Sequence, residues 1–493
     1  LTALVGAAAT MLAITAATGF VKLSSTTPLL ALMIGLAVGI DYALLVLVKH
    51  RENLRKGESA TEAAARALAT AGSAVVFAGL TVAIALSGLL VSQIPFLGYM
   101  GLAATLSVLA AVLTVLTLLP TFMVSRWAVR ALTRRRAKAR RAVAARWVAG
   151  VTRHPWVASI AVIAALVTLA SPALHMRLAL PDARTAEAGT GPRVAYDTID
   201  THFGPGFNSP LVVTAEIVTS TDPLGLVDDM KSTVAALPGV ESVLVATPNR
   251  GADTAVLIVV PQQSADSAAT HELVARVRGL EVSGYPLQVT GTTAVQIDVT
   301  DRLGAALLPF ALIVMGLSLL ILLVVFRSIA VPVTATFGFL LSVTAAFGMV
   351  WAVFGEGYLG DLFGVERTGP VISFLPIILI GVLFGLAMDY QVFLVARMHE
   401  EYARTRRAHE SIDHGFTQVA PVVTAAAIIM ISVFAFFMAS GDTVIKPMAL
   451  GLASGVFADA FLVRLTLVPA LLQVLGDRAW SVPRWLDRIM PTI

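Results

Sequence analysis

Apolar residues run through this chain in long blocks rather than at strand or surface-helix spacing. Runs of about 20 apolar residues, enough to cross roughly 30 Å of hydrocarbon, recur at 1–20, 28–48, 68–91, 97–124, 155–175, 303–326, 329–354, 371–396, 418–439 and 447–472. The pattern predicts ten membrane-spanning helices. The only long polar stretch, 176–302, lies between the fifth and sixth. There the pattern changes to short β-branched runs at 210–218, 240–246, 255–260 and 287–290, with amphipathic helical spacing at 224–237 and 266–277. A β-α-β-β-α-β order predicts a small ferredoxin-like module, and 291–302 a helical stalk into the next span.

Composition agrees: 57% of residues are hydrophobic and 13% charged, about half the charged share of soluble domains. With no cysteine, disulfides and thiolate metal sites are excluded. The net charge of +4 does not point to nucleic acid, because the positive residues gather at span ends. Lys49, Arg51, Arg55 and Lys56 follow the second span. Arg126, Arg130, Arg134, Arg135, Arg136, Lys138, Arg140 and Arg141 follow the fourth, and Arg397, Arg404, Arg406 and Arg407 the eighth. With ten spans all three clusters share one side, which is then cytoplasmic. The segment 176–302 holds 15 acidic against 8 basic residues and falls on the opposite, external side. The basic run 126–146 reads first as a topology anchor and nothing more; the alternative is a juxtamembrane segment that touches anionic lipids.

Two spans carry an Asp-Tyr pair, Asp41-Tyr42 and Asp389-Tyr390, in otherwise apolar sequence. A carboxylate at membrane depth costs a few kcal/mol and marks an ion or proton pathway by default. The pairs belong to an internal repeat. Asp41 precedes Pro120 by 79 residues and Asp389 precedes Pro469 by 80. A basic residue follows each Asp after eight, Lys49 or Arg397, placing both carboxylates about 12 Å from the cytoplasmic end at 1.5 Å per residue. Same-direction repeats relate by an axis along the membrane normal, which brings the two spans face to face. Gly35-x-x-x-Gly39 and Gly381-x-x-x-Gly385 favour close helix packing. Adjacent helical residues point about 100° apart, so Asp41 is expected to meet Tyr390, and Tyr42 to meet Asp389, as a coupled proton relay.

Asp459 and Arg464, in the last span, point about 140° apart on an α-helix; Arg464 snorkels towards the cytoplasm on this reading. Ser73 and Thr424 are expected to bond local backbone. His50, His399, His409 and His414 fall on predicted cytoplasmic loops. No clustered metal-ligand spacing or phosphate-binding glycine loop occurs, so ATP-driven pumping has no support; the expected role is a transporter and not an enzyme.

These residues resemble the MMPL family of the resistance-nodulation-division (RND) transporter superfamily. The matching text is Gly39-Ile40-Asp41-Tyr42 with Lys49-His50-Arg51-Glu52, Phe326-Arg327-Ser328 with Pro332, Ala387-Met388-Asp389-Tyr390, and Asp459-Ala460-Phe461-Leu462-Val463-Arg464 leading to Pro469. The resemblance implies a polytopic α-helical membrane protein with an α+β external domain. Its segments are a first-repeat bundle 1–125, a basic cytoplasmic linker 126–154, the first span of the second repeat 155–175, a porter-like domain 176–302, a second-repeat bundle 303–472 and a cytoplasmic tail 473–493. The chain opens at Leu1 inside an apolar run, and the repeat register aligns Leu1 with Ala330. On that register roughly 170–200 residues are expected before Leu1, giving twelve spans in all.

The implied activity is proton-motive-force-driven export of lipids, glycolipids or other lipophilic compounds across the inner membrane towards the envelope. Asp41, Tyr42, Asp389 and Tyr390 form the implied relay, with Asp459 and Arg464 supporting it. The proton is the coupling ion, and no cofactor is required. Partners are a lipophilic substrate, membrane lipids, and homo-oligomers or envelope accessory proteins as candidates. One departure is Ala78, where relatives often place a Ser. Two other readings use the same scaffold, a lipid- or sterol-sensing protein and a protein-translocation auxiliary.

Overall fold

The computed structural model describes residues 1–125, 129, 138–365, 367–439 and 442–480, with backbone alone at 91, 92, 138–145 and 389. Most of the basic run 126–146 and of the tail 473–493 therefore lies outside the described residues. Among the described residues nine helices are long and apolar enough to cross a membrane. The expected first span is a shorter apolar helix, Thr2–Ala17 (α1), of 16 residues. The nine are Thr26–Arg55 (α2), Ala60–Leu90 (α3), Pro95–Met123 (α4), Pro155–His175 (α5), Thr292–Phe326 (α6), Ala330–Gly355 (α7), Leu375–Thr405 (α8), Ala408–Met438 (α9) and Ile445–Trp480 (α10). This is a multi-pass membrane protein.

Local chemistry sets several boundaries. Ser59 and Glu62 form a reciprocal capping box that starts α3. Pro95 and Pro155 occupy first-turn positions, where a missing N–H is harmless. The turn from α6 to α7 places Arg327 at φ 47°, and Ser328 fixes it by donating to the Ala479 carbonyl at 2.6 Å while accepting from Val331 N at 3.3 Å. Three helices contain wide π-turns, at Leu68–Gly72, Trp351–Gly355 and Ala458–Leu467.

The chain divides into two compact units. The helical unit comprises 1–176, 306–359 and 375–493. Within it α1 packs on α2 and α4, and α7 packs on α8 and α10, as two repeats in one direction require. The extensive contacts between repeats are α2 with α9 and α3 with α8. Across the repeats, each Asp-Tyr helix thus rests on the span that follows the other one. The glycine motifs differ accordingly. A side chain at Gly35 would meet Ser107 of α4, and one at Gly39 would meet Ala3 of α1. One at Gly381 would meet Phe310 of α6, and one at Gly385 would meet Val82 of α3 at 2.8 Å. The first motif packs within its repeat, and Gly385 packs between repeats.

The second unit comprises 177–305 and 360–374. Strands Leu211–Glu216 (β1), Val240–Pro248 (β2), Thr254–Pro261 (β3) and Gln288–Thr290 (β4) form an antiparallel sheet in the order β2-β3-β1-β4. Helices Pro223–Ala235 and Ala268–Arg278 complete the β-α-β-β-α-β order. Leu211, Val213, Leu257 and Val259 face Met230, Val234, Leu273 and Val277 in one core, which explains the alternating burial along β1. A helix at Gly191–Phe203 adds to this frame. Leu178–Ala179 pairs in parallel with Val371–Ile372, so 360–374, which the sequence pattern assigns to the second-repeat bundle, joins this unit instead.

Candidate functional site

Asp41 sits on α2 with 1% of its surface exposed. The Tyr390 hydroxyl, on α8, donates to its Oδ1. Oδ2 of Asp41 is buried with no hydrogen-bond partner among the described residues. A chain of contacts continues from the tyrosine. The Arg464 guanidinium lies over the Tyr390 ring, 5.6 Å from its centroid, within cation–π range. It donates to the Ala387 carbonyl of α8, and its Nε approaches Asp459 Oδ2 at 2.5 Å. Arg464 is 2% and Asp459 9% exposed. Three helices, α2, α8 and α10, thereby contribute to one buried polar array running Asp41, Tyr390, Arg464, Asp459.

The Asp459–Arg464 ion pair corrects the expectation that these side chains diverge and that Arg464 snorkels. The expectation assumed α-geometry. Ala458–Leu467 is instead a π-helix, whose i→i+5 repeat brings residues five apart onto one face. The Thr466 hydroxyl reaching back to the Phe461 carbonyl at 2.9 Å has the same five-residue spacing. Pairing matters here, since a buried charge without a partner is strongly destabilising.

Tyr42 is also fully buried, with its ring edge 3.6 Å from the position a side chain would take at Gly79 of α3. The side chain of Asp389 lies outside the described residues. Ala78 is buried, and the nearest hydroxyl along α3, Thr81, bonds the Ala78 carbonyl at 2.7 Å. Ser73 bonds the Thr70 carbonyl at 2.8 Å, as expected.

The histidines depart from the sequence reading, since all four lie on helices rather than loops. His50 is wholly buried within α2, and neither ring nitrogen has a hydrogen-bond partner among the described residues. The helix outruns the hydrophobic block, and the start of α3 folds back on it, with Asn53 Nδ2 donating to the Ala63 carbonyl at 3.3 Å. His409 and His414 are exposed on α9. Another contact is absent from the sequence reading: Trp147 Nε1, on the helix Lys138–Arg153, donates to the Leu465 carbonyl at 2.9 Å.

The sequence profile of the MMPL family matches residues 1–158 and 217–490. The chain belongs to the MMPL family. It thereby falls within the RND superfamily of membrane transporters. Among MMPL relatives, the chain is 43% identical over 498 residues to "Membrane protein YdfJ" of Bacillus subtilis (strain 168), covering 100% of this chain and 68% of that protein. It is 33% identical over 481 residues to "Mycolic acid-containing lipids exporter MmpL11" of Mycolicibacterium smegmatis, covering 94% of this chain and 50% of that protein. The chain thus spans about half to two thirds of these relatives' length. Its fold is similar to that of the hedgehog release protein Disp from the water bear Hypsibius dujardini, with a TM-score of 0.61 and 13% identity over 91% of this chain and 64% of that one.

Proposed function

We propose that this MMPL chain is the relay-bearing part of a proton-motive-force-driven exporter that moves lipids, glycolipids or other lipophilic compounds across the inner membrane. The observation that carries this reading is the buried Tyr390–Asp41 hydrogen bond between the two repeats. Asp41 offers one oxygen to the tyrosine and keeps Oδ2 unengaged among the described residues. A proton added at Oδ2 leaves the Tyr390 hydrogen bond intact and removes one negative charge from the array. Tyr390 also carries Arg464 on its ring, so that charge change is felt on α8 and α10. In a low-dielectric interior such a change weighs heavily, and it favours a different packing of one repeat against the other. Alternating that packing with inward proton flow is the power stroke.

The substrate class rests on the M. smegmatis relative, an exporter of mycolic acid-containing lipids. The basic clusters support the cytoplasmic placement of the Lys49 and Arg397 ends. Neither proposed role calls for a catalytic residue or a cofactor.

The test is reconstitution of the full-length protein in proteoliposomes with an enclosed pH dye and a fluorescent phospholipid. An imposed proton gradient should drive lipid movement accompanied by proton uptake, and Asp41→Asn and Tyr390→Phe should abolish both. Lipid movement that follows a sodium gradient instead, or survives both substitutions, rejects the proton relay. Protein that binds lipid yet moves neither lipid nor protons under any gradient favours the sensor reading.

A further inference from the structure

An apolar groove in the helical unit has no part in the array above. Its volume is about 560 Å³, within the roughly 300–1,000 Å³ of small-molecule sites. Trp156 at the start of α5, Val333 at the start of α7, and Leu471, Val474 and Leu475 near the end of α10 line it. Arg478 adds a cationic group to a wall that is otherwise apolar apart from Thr334. The three helix ends that meet here lie on the side that carries the basic clusters. Arg153 and His154 precede Trp156, Arg327 precedes Ile329 of the same groove, and Asp477 is the adjoining acid.

Two anchors hold Arg478 in place. Ser328, fully buried, donates to the carbonyl of Ala479 at 2.6 Å. Trp480 stacks on Tyr402 with centroids 5.5 Å apart and an interplanar angle of 20°. The turn Gly476–Trp480 is thereby fixed both to the α6–α7 turn and to α8, the helix of Tyr390. Trp156 is 64% and Val333 53% exposed, so the groove opens to the surroundings of the helices. In a membrane protein those surroundings are lipid. An interfacial tryptophan beside an arginine is the usual furniture of the headgroup level, and basic pockets between spans on the cytoplasmic side suit acidic headgroups.

We propose that this groove binds one acyl chain of an anionic phospholipid of the cytoplasmic leaflet, with its phosphate at Arg478. The site is separate from any transported substrate and does not depend on the proton relay. Because Trp480 and Tyr402 join the same turn to α8, the bound lipid steadies the cytoplasmic end of the Tyr390 helix.

The experiment is quenching of tryptophan emission in the full-length protein, in nanodiscs containing brominated phosphatidylglycerol or brominated phosphatidylcholine at equal mole fraction. Wild type minus Trp156→Phe isolates one of the six tryptophans. The expected result is at least two-fold stronger quenching of Trp156 by the brominated phosphatidylglycerol. Arg478→Gln should remove that excess and Arg478→Lys should restore most of it, since lysine binds phosphate as a point charge. Val333→Phe, which fills the groove, should remove it with Arg478 intact. Equal quenching by both lipids means annular lipid only and overturns the proposal. An excess that survives Arg478→Gln or Val333→Phe overturns it as well, as does absence of quenching by either lipid.

Discussion

The Trp147 indole donates from the helix Lys138–Arg153 to the carbonyl of Leu465, 318 residues away inside the π-helix Ala458–Leu467. A neutral hydrogen bond of this kind contributes about 0.5–1.5 kcal/mol. Trp147→Phe should lower stability by that amount, read by thermal unfolding in detergent. An unchanged melting temperature would show that this hydrogen bond contributes nothing to the fold.

Tyr390→Phe keeps the ring under Arg464 and deletes the donor to Asp41. A buried acceptor left without its partner costs about 1–3 kcal/mol, so the variant should be measurably less stable. Asp41→Asn, which can still accept from Tyr390, should lose less. Thermal unfolding of the two variants side by side decides this. The reverse order would show that the hydrogen bond contributes little to the fold.

Breaking the Asp459–Arg464 pair from one side should be worse than removing it. Asp459→Leu alone strands a buried guanidinium and should destabilise by about 3–5 kcal/mol. The double variant Asp459→Leu, Arg464→Met should recover most of that loss while still failing in proton-coupled transport. A double variant no more stable than the single one would argue that the charges also hold the π-turn.

In the polar unit Arg184 lies between two carboxylates, with Nη1 2.9 Å from Asp266 Oδ1 and Nε 3.9 Å from Asp182 Oδ1. Burial alone would raise both acids. For Asp182 burial wins over Arg184 and its carboxyl titrates above the usual value. For Asp266 burial is outweighed by the Ser264 hydroxyl and Arg184 together, and its carboxyl falls below the usual value. A depressed acid adds stability above its ordinary range and loses it as pH falls through the folded value, and a raised acid does the opposite. Asp266→Asn should therefore weaken the unit at neutral pH and blunt its loss of stability in acid. Asp182→Asn, which can keep the turn bond to Arg184 N, removes a carboxylate that burial penalises, so it should be neutral or stabilising at neutral pH and approach wild type as pH falls. Hydrogen–deuterium exchange of peptides from 178–190 and 260–280, corrected for intrinsic rates, reads both.

A side chain at Gly35 would lie 2.0 Å from Ser107 Oγ, whose own bond to the Ala31 carbonyl is 2.6 Å long. Gly35→Ala should destabilise by about 1–3 kcal/mol through overpacking. Gly304→Ala, in open space on α6, should be neutral or stabilising by up to about 1 kcal/mol. Equal melting temperatures for the two variants would refute this packing argument.

Block hydrophobicity was enough to find the long helices, and strand alternation enough to find the β-α-β-β-α-β sheet, because both signals repeat over many residues. Asp41 and Tyr390 were legible as partners because a repeat constrains position as well as composition. The Asp459–Arg464 pair was not, since spacing becomes geometry only once the turn is known, and nothing local announces a π-turn. His50 was misread because basic neighbours mark the end of a span and not the end of its helix. The two-residue ladder between Leu178–Ala179 and Val371–Ile372 is too short to leave a pattern. Nothing near Leu465 in the sequence points to Trp147, which stands 318 residues away.

The hydrogen bond between Asp41 and Tyr390 joins residues 349 positions apart. At synthesis rates of about 5–20 residues per second, the ribosome reaches Tyr390 roughly 17–70 s after Asp41. Throughout that interval the first repeat holds a carboxylate at membrane depth without the tyrosine that will serve it. Completion of the eighth helix is thus the earliest moment at which the nascent protein can close this hydrogen bond between its two repeats.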